Sequence, residues 1–191
     1  NSPRTNSEIG SLYAHYTTAD PIAKAESYLF ARHFYEQAAT LQKNNVNGLF
    51  GLIQLSISHG KPVEKQWMTE LAYRLENEVV PANINDKLVA LAACRMKENC
   101  PLSAKEIEEL IRAPLRNSRI NGYDKVLAYG ALTFYLVNVA ADYPAALESM
   151  TRSIELAPHR LEQRLTLVKF LIALQRPEEA RRLPGRKAHP P

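Results

Sequence analysis

The chain has 191 residues, enough for one globular domain or one short repeat array. Its 46% hydrophobic and 23% charged residues match a soluble folded protein and argue against a disordered chain. The formal charge of +4 gathers partly at Arg181, Arg182, Arg186 and Lys187, and reads as a solvated tail rather than a nucleic-acid surface, because no aromatic residues interleave with these cations.

Along the chain, apolar residues recur at the helical period and nowhere sustain a strand-like alternation. The spacing predicts helices at about 7–17, 21–42, 46–59, 62–80, 85–98, 103–114, 123–141, 144–156, 160–175 and 177–183. Asp20 precedes Pro21, placing a side-chain cap before a proline whose missing N–H costs nothing in the first turn. In "SAKE", Ser103 and Glu106 have the spacing of a capping box. Pro144 and Pro177 open helices, with Glu178 and Glu179 set against the positive end of the dipole. Pro158 closes one, since the residue before proline is pushed out of the α region.

The longest apolar run, "VLAYGALTFYLVNVAA" over 126–141, contains Asn138 and falls short of the roughly 20 residues needed to span a bilayer. It reads as a buried helix. The chain begins at Asn1 rather than Met and reads as a mature or trimmed fragment with no signal-peptide core. Short connections imply that successive helices pack antiparallel. The division expected is an N-terminal segment with a short helix (1–19), a helical repeat domain (20–183) and a basic, disordered tail (184–191).

Internal repetition decides between a bundle and an array. With Leu127 and Leu161 each taken as the first position of a unit, Ala146 and Ala180 both fall at position 20. Ser153 falls at position 27 and Pro158 at position 32. Small residues suit places where two helices cross closely, and a proline stops the second helix of a pair. This pattern, with the corner "LIALQRPEEA" from Leu171 to Ala180, resembles the tetratricopeptide repeat (TPR). A weaker copy starts at Leu12, with Ala31, Tyr35 and Ala38 at positions 20, 24 and 27, and another at Val46. Phe134 and Val168 stand where the family prefers a small residue, Lys43 and Lys65 replace an expected Pro and Ala, and 81–122 keeps the helix-pair rhythm but not the register. The resemblance implies an all-α fold, antiparallel helix pairs stacked as a TPR-like α-solenoid.

No motif for phosphate, dinucleotide, zinc-protease or serine-hydrolase chemistry is present, so no catalytic residue, cofactor or metal is expected. The five His residues are not at metal-ligand spacing. Cys94 and Cys100, in "CRMKENC", flank a reversal before Pro101. They form either a local disulfide in an oxidising compartment or a buried small residue and a half-exposed thiol.

The resemblance also implies a concave groove lined by the first helices, at unit positions 2, 5, 9 and 12. Those positions are Asn47, Phe50, Gln54 and Ile57; then Ala128, Ala131, Tyr135 and Asn138; then Glu162, Leu165, Lys169 and Ile172. Asn47, Gln54, Tyr135, Asn138 and Lys169 are the expected partner-binding residues, able to hydrogen-bond an extended protein or peptide backbone. The Lys/Asn carboxylate clamp of chaperone-binding TPRs is not reproduced. Two functions are compatible: a non-catalytic interaction scaffold, or the soluble periplasmic TPR-like tail of a larger bacterial membrane protein, similar to those of some glycan polymerases or glycosyltransferases. A Cys94–Cys100 disulfide favours the periplasm over the cytoplasm. The sequence leaves the oligomeric state open.

Overall fold

The computed structural model describes residues 2–16, 18–41, 46–78 and 83–182; the basic tail expected at 184–191 lies outside them. The described chain is all-α, and no strand occurs among the described residues. Its helices are α1 (Pro3–Ala14), α2 (Pro21–Leu41), α3 (Asn47–Ser58), α4 (Lys65–Asn77) and α5 (Ile84–Cys94). The second half comprises α6 (Ala104–Arg116), α7 (Gly122–Tyr135), α8 (Tyr143–Leu156), α9 (Leu161–Ala173) and α10 (Pro177–Arg182). A π turn, Leu136–Ala140, continues α7.

Local chemistry sets the starts. Ser2 Oγ accepts the Thr5 N–H at 3.1 Å, which moves the start of α1 from the predicted 7 to Pro3. Asp20 accepts the Ile22 N–H at 2.9 Å. At α6, Ser103 Oγ accepts the Glu106 N–H at 3.2 Å while the Glu106 carboxylate accepts the Ser103 N–H at 2.8 Å, a complete capping box. Asn121 and Asp142 cap α7 and α8 in the same way. Helix α6 runs past Pro114 to Arg116 rather than stopping at the proline.

The ends carry a second regularity. Gly60, Ala141 and Gln175 have φ of 60°, 53° and 57°, the left-handed conformation of a Schellman C-cap. Behind them, the Lys61 N–H reaches the Ser56 carbonyl at 2.8 Å and the Arg176 N–H reaches Leu171 at 2.8 Å. After the π turn the matching bond spans one residue more, from the Asp142 N–H to the Leu136 carbonyl at 2.9 Å. The interval from Ala141 to Gln175 is the same as that from Ala146 to Ala180. Thus α3, the π turn that continues α7, and α9 close with one device.

Packing follows chain order. α1 lies on α2 and α3, α2 on α3, and α3 on α4 and α5. α4 and α5 both pack on α6, α5 and α6 on α7, α7 on α8, α8 on α9, and α9 on α10. Every substantial contact therefore joins helices one or two places apart. Phe50, Leu71, Leu88, Leu91, Ile107 and Ile111, all fully buried, hold the middle together. At the front, α1 and α3 approach α2 so closely that a methyl on Gly10 or Gly51 would overlap the Tyr35 ring. Cys94 and Cys100 are joined in a disulfide, their Cα atoms 5.3 Å apart, across the corner between α5 and α6.

Candidate functional site

The expected first-helix row is only partly open. Gln54 on α3, Asn138 in the π turn and Lys169 on α9 are exposed, and Asn47 is half-buried in the first turn of α3. Tyr135 is not presented to a partner. It is 2% exposed and its hydroxyl donates to the Ala104 carbonyl at 3.0 Å, locking α7 to the start of α6. Burial first, and the Glu108 carboxylate second, hold its phenol above the ordinary pKa. Phe50, Ala128 and Ala131 of the same row are buried as well. The physical reason is that α5 packs on α3 and both α5 and α6 pack on α7, so positions assigned to a groove are consumed by neighbouring helices. Asn138 donates its side-chain amide to the Phe134 carbonyl at 2.8 Å, and no hydrogen bond joins it to Gln54 or Lys169.

Sequence reasoning passed over Lys87, because 81–122 kept no repeat register. Its ammonium lies 5.1 Å from the centre of the Phe50 ring, and burial lowers its pKa. This cation marks the α3–α5 contact on the first-helix side.

Three concavities lie instead between successive second helices. The first, about 590 Å³, is bounded by Glu36 and Gln37 of α2, Leu49 and Leu52 of α3, and Trp67 and Arg74 of α4. The second, also about 590 Å³, runs between α4 and α6, with Met68, Ala72 and Leu110 along it and Lys65, Lys105, Glu106 and Glu109 at its edges. Each of these two balances its cations against its carboxylates. The third, about 400 Å³, does not: Arg112, Arg116 and Arg152 line it against the single carboxylate of Glu148. Its floor is Tyr129, Leu132 and Leu136 of α7.

The third cleft is also well braced. Thr133 Oγ1 donates to Ser149 Oγ at 3.1 Å, and Ser149 Oγ donates to the Tyr129 carbonyl at 3.0 Å, fixing α8 against α7. On the other side, buried Asn117 donates to the carbonyls of Leu75 and Glu78, each at 2.9 Å, and ties the end of α6 to α4. Hydroxyl and amide cross-links of this kind need both helices in place, so no periodicity announced them.

No family model, curated protein or solved structure matches this chain. Its function must be argued from its own residues. Among the described residues no group of three or more His, Cys, Asp or Glu is placed to hold a metal ion, and no helix is long and apolar enough to cross a membrane.

Proposed function

We propose that this chain is a non-catalytic protein–protein interaction module, a TPR-like α-solenoid whose surface takes a partner peptide or protein. The observation that carries the reading is the order of packing: every helix packs substantially only on helices one or two places along the chain. That is the nearest-neighbour pattern of a stacked array, in which stability is a sum over units and their interfaces. The equally spaced left-handed caps at Ala141 and Gln175, and the buried small residues Ala146 and Ser153 on α8, support the same repeat. A long surface with few chemical demands suits binding better than turnover.

Truncation tests the array. Ending the chain at Pro158 removes α9 and α10 and takes a substantial neighbour from α8 alone. In a solenoid the remainder keeps its helicity per residue and a cooperative urea transition; a globular bundle loses both. Screening the intact chain against a peptide array tests the binding half, and an array on which no peptide binds saturably sinks the interaction reading.

The Cys94–Cys100 disulfide favours a second reading, in which the module works outside the reducing cytoplasm as a soluble domain of a larger bacterial membrane protein, such as a glycan polymerase or glycosyltransferase. A free-thiol count on protein isolated from its native compartment without reductant decides the compartment. Two free thiols would remove the support for this reading.

A further inference from the structure

We propose that the cleft between α6 and α8 is a docking site for an acidic peptide segment carrying an apolar anchor side chain. The inference rests on the interaction-module reading and moves the binding surface from the first-helix row to the second-helix side. α6 packs on α4, α5 and α7, whereas α8 packs on α7, the π turn and α9, so the two second helices stand apart across α7. The resulting space of about 400 Å³ lies within the size range of ligand-binding clefts.

The floor is apolar. Leu132 and Leu136 are each 3% exposed, and Leu136 opens the π turn, a feature that recurs where helices build binding sites. The walls carry guanidinium groups. Arg112 and Arg116 project from α6 and Arg152 from α8, and Glu148 alone opposes them within the lining. Each guanidinium is steadied by a carboxylate outside the lining: Arg112 by Glu108 at 2.7 Å, Arg152 by Glu155 at 3.1 Å, and Arg116 by Glu76 at 3.0 Å and by Glu109.

Those pairs are solvent-exposed and weak, so they orient the arginines without saturating them. Arg112 engages Glu108 through Nε alone, which leaves its two terminal amino groups as a parallel fork for an incoming carboxylate. Two guanidinium walls above a leucine floor match a segment in which an apolar side chain enters and flanking carboxylates meet the rims. A bare inorganic anion would use the walls and leave the floor empty. The charge-balanced clefts between the earlier second helices offer no such complement.

Fluorescence anisotropy on the intact chain tests this with a labelled, end-blocked peptide of alternating leucine and glutamate. The controls are the same peptide with glutamine for glutamate, and inorganic phosphate as competitor. The expected result is saturable binding of the acidic peptide, at least about tenfold weaker binding of the neutral one, and weakening with added salt. Arg112→Gln and Arg152→Gln should each weaken binding about tenfold. Ala145→Phe, which fills the cleft, should abolish binding while helicity and melting temperature stay unchanged. Equal binding of both peptides overturns the inference, as does no binding of either. Binding that survives all three variants but is lost with Gln54→Ala plus Lys169→Glu overturns the cleft and leaves the interaction reading standing. Full displacement by millimolar phosphate reassigns the cleft to a small anion and overturns the peptide.

Discussion

On α3, Phe50 and Ile53 are fully buried and Leu52 is 1% exposed, whereas on α9 Leu161 is 65% and Ile172 56% exposed. Both helices are rich in leucine and isoleucine, so composition does not explain the contrast. The number of neighbours does. α3 is covered by α1, α2, α4 and α5, while α9 has α8 on one side and the short α10 on the other. Only Leu167 and Leu171 of α9 are buried. Burial here follows the number of packed neighbours, and a helix near the end of the packing order shows the apolar stripe that an inner helix hides.

The contrast breaks most visibly under truncation of the core. Phe50→Ala should cost about 3–5 kcal/mol, from lost burial and the cavity left behind, while Leu165→Ala on α9 should cost less than about 1 kcal/mol. Urea denaturation of both variants checks this; equal losses would mean that the outer face of α9 is covered in solution.

Next in size is the corner of the middle section. Reducing the Cys94–Cys100 disulfide opens a short loop and should lower stability by about 2 kcal/mol. Native-state hydrogen exchange should show the loss at α5 and α6, with the amides of α9 and α10 unmoved.

A smaller effect resides at the start of α6. Ser103→Ala removes half of the capping box and should cost about 1 kcal/mol by thermal melting. The bonds from the Ser103 hydroxyl and backbone N–H hold the Glu106 carboxyl below 4.5. A carboxylate with a lowered folded pKa stabilises the fold fully above its ordinary value. That contribution is lost as pH falls through the lowered one, so the wild-type advantage over Ser103→Ala should shrink below about pH 4.5.

The smallest change sharpens the comparison rather than breaking it. Gln175 and Ala141 pay for left-handed backbone that glycine adopts freely, so Gln175→Gly and Ala141→Gly should each stabilise by about 1 kcal/mol. For Gln175→Gly the gain should appear as slower local exchange in α9 and α10. For Ala141→Gly it should appear in the melt of the whole chain.

Much of the helical layout was legible because its signals are local. Asp20 and Ser103 cap their helices through bonds to residues two or three along, and such bonds can be read from spacing. The π turn was not legible. Residues 126–141 carry one long apolar run, interrupted at Asn138, and the extra residue after Tyr135 changes hydrogen-bond partners without changing composition. The groove assignment failed at Tyr135 for a related reason. A repeat position names a face of a helix, and what covers that face depends on the helices packed against it, here the start of α6.

The sequence by itself determined the all-helical class, the helix order and the caps at Asp20 and Ser103, because each depends on residues within a turn or two of one another. Only the tertiary structure decided that Tyr135 faces inward to the Ala104 carbonyl, that Asn117 and Ser149 stitch α6 and α8 to their neighbours, and that Arg112 and Arg116 of α6 share one cleft with Arg152 of α8. Those facts depend on distances between helices. Such distances are set by the packing of all the intervening side chains together, which no single stretch of the chain encodes.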